Sequence, residues 1–301
     1  MCSVWRSPGP DLTLTDIGRV VDNLSEFGIR YIALAGGEPL LRADLFEVFG
    51  LLERHRLLYA LTTNGLLLDR HMIDRFNKHR PNNLMVSLDS LKAPVYRRLR
   101  GVDGLDAVTA NIQGAGRCLD RHIVLRINTV LTPLNLEEIP ALLEFAERNG
   151  AALSVTPCAM GGGFRHRHQA DEVRPNTEAA TAMAETMLWV AEMATEGRAV
   201  YGPTTFYETA ARVLTGGAAV RCDANRFVLH VDARGGVSVC QDLPPFADLL
   251  RTSLTEAWSA STHAAAITRC CEETPCFYMC SRMISHFITH PETLTDFFRR
   301  S

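Results

Sequence analysis

The chain has 301 residues, 47% of them hydrophobic, with 31 basic and 34 acidic side chains and a formal charge of −3, enough for one large domain or a domain with a small appendage. The near-neutral balance carries no signal for nucleic acid or an anionic membrane. No apolar run reaches transmembrane length, and no charged-then-apolar secretory pattern stands at the start. A cytoplasmic protein without nucleic-acid or membrane partners is expected. In that compartment its nine cysteines read as metal ligands or reactive thiols rather than disulfides.

In chain order, helical spacing first covers Leu14–Phe27, with Thr13 or Thr15 as its N-cap. Strand-length apolar runs follow at Tyr31–Ala35, Leu58–Thr62, Leu84–Leu88, Ile123–Val130 and Ala152–Thr156. Between them, helical spacing covers Leu45–Arg56, Met72–Lys78, Val108–Asp120 and Leu136–Asn149, the last stopped by Asn149-Gly150. This alternation predicts parallel strands joined by right-handed crossovers. The pattern begins on a helix, so a leading strand is missing from it.

After residue 160 the rhythm changes. GGGFRHRHQADEVRPN (161–176) is a polar, Gly-rich loop. Its basic part, Phe164 to Gln169, is either a solvated loop or a contact for an acidic substrate. Helical stretches at Thr177–Thr195 and Thr204–Leu214 lead into FVLHVDARGGVSVC (227–240), a hairpin turning at Gly235-Gly236. A domain boundary near 215–221 divides 1–215 from 216–301.

In parallel barrels ligands collect at the carboxyl ends of the strands, so the residues just past each strand carry functional information. The first apolar run ends in Gly36-Gly37-Glu38-Pro39-Leu40-Leu41-Arg42 and the second in Thr62-Thr63-Asn64-Gly65. The third ends in Ser87-Leu88-Asp89-Ser90, and the fourth carries Arg126, Asn128 and Thr129. Paired glycines let backbone approach a ligand, and Pro39 fixes the chain beside the Glu38 carboxylate. Any one of these loops is also ordinary turn chemistry.

As an ordered set, GGEPLLR, TTNG and VSLDS resemble the radical S-adenosylmethionine (SAM) superfamily over roughly residues 1–160. The resemblance implies an α/β fold: a partial (βα)6 TIM-like barrel, here without its first strand, with a small C-terminal Cys-rich α+β extension. It implies that SAM is held by Gly36, Gly37, Glu38 and Pro39, with Thr63, Ser87 and Asn128 near its methionine carboxylate or ribose. The strand Ala152–Pro157 would pass beside the adenine. Family members place a CxxxCxφC motif after the first strand, whose three thiolates bind a [4Fe–4S] cluster. Cys2 resembles the third of these, with Met1 at φ. The SAM-site cluster is then incomplete in this chain, and a start inside the motif is expected; if Met1 is the true start, a degenerate non-catalytic Fe–S protein is implied instead.

The tail adds Cys222 and Cys240, spaced Cx12Gx4C across the hairpin, and then RCCEETPCFYMC with Cys270, Cys271, Cys276 and Cys280. Clustered thiolates in a reducing compartment suit Zn or an Fe–S cluster. The spacing resembles the twitch and SPASM extensions of radical SAM enzymes. That resemblance implies one auxiliary [4Fe–4S] cluster held by Cys222, Cys240 and two of the last group, Cys276 and Cys280 ahead of Cys271, with Cys270 still in play. Cys118 and Cys158 read as packing residues.

Together these imply hydrogen abstraction by a 5′-deoxyadenosyl radical from a small sugar-like or nucleoside substrate. The outcome would be dehydrogenation or decarboxylation in natural-product biosynthesis, by an oxidoreductase or carbon–carbon lyase of the kind that includes cytosylglucuronate decarboxylase. Flavodoxin or ferredoxin would supply the electron. A peptide-modifying maturase is the competing enzyme class. No catalytic residue is assigned from sequence.

Overall fold

The computed structural model describes residues 11–158, 173–217, 228–240 and 243–260. Its elements are α1 (Leu14–Phe27), β1 (Tyr31–Leu34), α2 (Leu45–Arg54), β2 (Leu58–Thr63), α3 (Arg70–His79), β3 (Asn83–Ser87), α4 (Ala93–Arg100), α5 (Leu105–Cys118), β4 (Val124–Leu131), α6 (Ile139–Arg148), β5 (Ala152–Pro157), α7 (Thr177–Thr195), α8 (Thr204–Leu214), β6 (His230–Val231), β7 (Gly236–Ser238), β8 (Ala247–Asp248) and α9 (Leu254–Ala260). Strands β1 to β5 form one parallel sheet in sequence order, as the strand–helix alternation predicts.

Thr13, not Thr15, caps α1. Its Oγ1 accepts from Asp16 N at 3.1 Å while Asp16 Oδ2 accepts from Thr13 N at 3.2 Å, a reciprocal pair that satisfies two orphan donors. The expected helix Leu136–Asn149 is divided: a 3-10 turn covers Leu136–Glu138 and α6 starts at Ile139. Pro140 lies in the first turn of α6, where its missing N–H costs nothing, so the α-helix begins there. Sequence periodicity misses α4. It is eight residues long and buries only Tyr96 and Leu99, too little for a repeat to be visible.

Successive residues of a strand face opposite sides of the sheet, and the in-register pairs sort the side chains into two faces. One carries Tyr59, Leu61, Leu84, Val86, Leu125, Ile127, Leu153 and Val155, all buried. They share a core with Phe49, Phe76, Ile112 and Leu142 of the crossover helices. The other face carries Thr62, Asn83, Met85, Ser87, Arg126, Asn128, Ser154 and Thr156. Beside β5, Val200 forms a parallel bridge to Leu153, with Leu153 N donating to Ala199 O at 2.7 Å and Tyr201 N to Leu153 O at 2.8 Å. This segment prolongs the sheet past β5 and brings Tyr201 to its border.

The predicted hairpin forms as β6 and β7, and β8 adds a third antiparallel strand that two residues of sequence do not announce. Asp232 Oδ1 accepts from Arg234 N and Gly236 N at 2.8 and 2.9 Å, and Gly235 supplies the φ of +89° that the turn needs. Val237, Leu249 and Leu254 bury against Val20 and Leu24 of α1. Asn23 bonds Leu249 O and Leu254 N, each at 3.0 Å. The sequence boundary near 215–221 is thus crossed by packing, because α1 serves both sheets. No helix among the described residues is long and apolar enough to cross a membrane.

Candidate functional site

The carboxyl ends of β1, β2 and β3 are tied together by side chains. Glu38, just past β1, caps a 3-10 turn at Pro39–Leu41. Its Oε1 accepts from Leu40 N at 3.0 Å and from the Thr63 hydroxyl at 2.6 Å, and its Oε2 accepts from Asn64 N at 2.7 Å. A carboxylate offers about four acceptor positions, so one on Oε2 remains. Gly65, next in that loop, has φ +81°, and a Cβ there would stand 2.6 Å from Val86 Cγ1, so only glycine fits. Asn111 of α5 donates to Gly65 O at 2.8 Å and holds the loop from behind.

Past β3, Asp89 is buried with its Oδ2 2.7 Å from Arg100 Nε, while its Oδ1 accepts from Val130 N at 2.8 Å. Glu138 accepts from Ser90 Oγ at 2.8 Å and Leu91 N at 2.8 Å. Thr129 donates to Leu88 O at 2.7 Å. These groups support the strand ends, and Thr129 stands on the helix-facing side of the sheet with Val155.

The residues singled out by sequence therefore divide. Gly36 and Gly37 lie at the exposed end of β1, with Gly36 at φ +155° and open space where a Cβ would be. Ser87 and Asn128 are register partners on the polar face. Thr63 is different: it is 2% exposed, and its hydroxyl donates to Glu38 and accepts from Gly65 N at 3.0 Å. It braces the loop, and Thr62 is the threonine on the Ser87–Asn128 side. Sequence reasoning passed over Asn83 and named Thr62, Ser154 and Thr156 only as parts of a strand end and of the strand expected beside the adenine, although their alternation with apolar neighbours marks one face of the sheet.

That face gathers unsatisfied chemistry. Asn83 Oδ1, Arg126 Nε and Asn128 Oδ1 are buried side-chain atoms with no hydrogen-bond partner. Of the other buried atoms without such a bond, those in Arg42, Asp89 and Arg100 belong to ion pairs of 2.6 and 2.7 Å, and His230 Nε2 lies in the second sheet. Buried polar groups are nearly always satisfied, so three unpartnered atoms on one face make it the candidate ligand surface among the described residues.

Cys2, Cys222, Cys270, Cys271, Cys276, Cys280 and the basic stretch Phe164 to Gln169 lie outside the described residues. Cys240 stands partly exposed just past β7, its carbonyl accepting from Ser238 Oγ at 2.9 Å. No group of three or more metal-ligating side chains occurs among the described residues. Cys158 is buried and its thiol donates to Val173 O at 3.2 Å; burial pushes its pKa up to about 11, which makes it a packing residue. Cys118 Sγ lies 3.0 Å from Arg70 Nη1 at the end of α5.

Residues 1–146 match the family model described as the radical SAM superfamily. A probable GTP 3′,8-cyclase of Thermococcus kodakarensis is 37% identical over 146 residues, which cover 48% of this chain and 46% of that protein. A PqqA peptide cyclase of Granulibacter bethesdensis is 27% identical over 179 residues, 59% of this chain and 47% of that protein. The chain thus aligns with about half the length of these curated relatives. Among solved structures, Streptococcus suis SuiB bound to precursor peptide SuiA superposes with a TM-score of 0.67 at 15% identity, covering 89% of this chain and 63% of that one, a likeness of fold. Residues 1–146 are therefore a radical SAM domain.

Proposed function

We propose that this chain binds SAM across the carboxyl ends of β1 to β4 and presents a substrate to it over the polar face of the sheet. The observation that carries the reading is the placement of the orphaned Asn128 Oδ1 beside Ser87, at the strand ends that Glu38 ties together. Those groups fit SAM. Its ammonium and ribose hydroxyls are donors, and Asn128 Oδ1 and the remaining position on Glu38 Oε2 are acceptors. Gly36 and Gly37 leave backbone open to the methionine end.

With a reduced [4Fe–4S] cluster beside it, SAM held there would supply radical hydrogen-abstraction chemistry. Glu38 and Thr63 keep the loops past β1 and β2 in fixed relation, so the cofactor meets a preorganised surface. Asp89 and Glu138 do the same for the loop past β3. Cys2 is the chain's thiolate for that cluster. The five strands serve as part of a (βα)6-type barrel, and residues 216–301 as a twitch- or SPASM-like unit. Its auxiliary [4Fe–4S] cluster would be held by Cys222, Cys240 and two of Cys270, Cys271, Cys276 and Cys280, Cys276 and Cys280 first, with an electron carrier such as flavodoxin or ferredoxin as donor.

The substrate is a small polar molecule of nucleoside or sugar type, oxidised or cleaved at a carbon–carbon bond. The relative named for GTP cyclisation supports the nucleoside choice. Peptide modification is the second reading, supported by the relative named for peptide cyclisation and the fold neighbour crystallised with a peptide. The test is an anaerobic calorimetric titration of SAM, followed by nucleosides, sugars and short peptides into the SAM-bound protein. SAM should bind, and a nucleoside or sugar should bind more tightly with SAM present than without it. A protein indifferent to SAM contradicts the proposal, and SAM-dependent binding of peptides alone favours the second reading.

A further inference from the structure

Arg126 lies near the middle of β4, in register with Met85 and Ala152 and two residues nearer the amino end than Asn128. It is only 5% exposed. Withdrawing a cation from water costs several kcal/mol even after relaxation, so a buried arginine ordinarily has a carboxylate partner. Arg126 forms no salt bridge to a carboxylate among the described residues. Its guanidinium stacks on the Tyr201 ring with Cζ 3.2 Å from the centroid, Nη2 donates to Ser154 Oγ at 3.3 Å, and Nε is buried with no acceptor.

The stack and one long neutral bond offset part of the cost and leave the positive charge uncompensated. The surrounding groups do not change that sign. Among the described residues, Tyr201, Tyr31 and Tyr207 are the titratable groups whose charge bears on Arg126, and burial draws the arginine's own pKa down. Tyr31 and Tyr207 are themselves raised by burial, which holds them neutral. Tyr31 is 45% exposed, so solvent reaches this end of the face. Asn83 Oδ1, on the same face, is the second unpartnered polar atom there.

We infer that Arg126 is the receptor for a carboxylate or phosphate group of the substrate, held over the polar face below the strand ends. A planar fork with an unused Nε–H suits a two-oxygen anion. The Tyr201 ring fixes the plane of the guanidinium and therefore the approach of the anion. Asn83 Oδ1 takes a hydroxyl or amine donor on the same substrate. The lower position on β4 separates this group from the strand-end loops that would hold SAM, so it selects substrate. The inference rests on the polar face being the substrate side of the SAM site.

The test titrates the 301-residue protein calorimetrically with pyrophosphate, succinate and, separately, SAM, alongside Arg126→Gln and Arg126→Lys. The wild-type protein should bind at least one of the two anions, pyrophosphate if the natural group is a phosphate and succinate if it is a carboxylate. Arg126→Gln should bind it about tenfold more weakly or worse, since the charge-assisted bonds are gone. Arg126→Lys, which keeps charge without the fork, should fall between. SAM affinity should stay within about twofold in both variants. Equal anion affinity in all three proteins, or no anion binding by the wild type, overturns the inference. So does a loss of SAM affinity matching the loss for anions, which would make Arg126 the partner of SAM's own carboxylate. If circular dichroism shows Arg126→Gln unfolded, the wild-type and Arg126→Lys titrations decide by the same criteria. Arg126-dependent anion binding without SAM binding defeats the proposed function and overturns the substrate role inferred for Arg126, leaving only an anion site on the polar face.

Discussion

The two faces of the five-stranded sheet come from the same strands and obey opposite rules. In β4, Leu125 and Ile127 are buried in the core shared with the crossover helices, while Arg126 and Asn128, alternating with them, keep unpartnered polar atoms. Burial of apolar surface stabilises the first face and depends on close packing. The second face holds polar groups away from water without satisfying them, which destabilises the free protein. The difference separates residues that make the fold from residues that await a ligand, at a spacing of one position.

The comparison is tested most strongly at Ile127 and Asn128. Ile127→Ala should cost about 2–5 kcal/mol in urea unfolding, as for other fully buried aliphatic truncations, and leave SAM affinity of the folded fraction unchanged. Asn128→Ala should change stability by less than about 1 kcal/mol, because the acceptor it removes has no partner to lose, and should weaken SAM binding about tenfold. Similar stability losses at both positions would erase the distinction between the faces.

Glu38 joins the two roles, so its substitution sharpens the contrast. Glu38→Gln retains an oxygen for Leu40 N and Thr63 but turns an amide N–H toward the Asn64 N–H now bonded at 2.7 Å. The expected cost is about 1–3 kcal/mol in chemical denaturation, accompanied by weaker SAM binding. A purely structural Glu38 would lose stability and keep its SAM affinity once folded.

The smallest effect lies far from the polar face. Arg198 grips Glu147 through two bonds of 2.7 and 2.6 Å, tying the end of α6 to the segment that leads into Val200. The guanidinium holds the Glu147 pKa below the ordinary glutamate value. A lowered folded-state pKa contributes stability above the unfolded value, and that stability is lost as pH falls through the folded one. Both side chains are partly exposed, so wild type should exceed Glu147→Gln by no more than about 1 kcal/mol near neutral pH. The advantage should shrink as pH falls below the ordinary glutamate range and vanish once Glu147 is protonated in the folded protein as well. An advantage that grew on acidification would contradict the pairing.

The strands and most helices were legible because apolar periodicity reports burial, and the helix-facing side supplies that signal in every strand. The GGEP, TTNG and VSLDS loops were legible as motifs, but the division of labour inside them was not. Whether Thr62 or Thr63 faces the polar side depends on strand phase, which two adjacent threonines do not reveal. Asp89 stood in a strand-end loop and Glu138 in a helical stretch, and their bracing role appears only when β3, β4 and α6 come together. Arg126 was visible as a cation in an apolar run, yet only the folded structure shows that its stacking partner is Tyr201, about seventy residues later, and that no carboxylate among the described residues pairs with it. The short α4 and the third strand of the second sheet lack the length to produce a periodic pattern.

The central claim is that SAM sits on the polar face at the strand ends. Amide hydrogen exchange of the anaerobically reconstituted protein, with and without SAM, tests it directly. SAM should slow exchange in residues 35–41, 62–66 and 87–90, and the slowing should be much reduced in Asn128→Ala. Unchanged exchange in those segments, or protection confined to the groove between α3 and α5 lined by Arg70, Asn111, Arg117 and Cys118, would contradict the account.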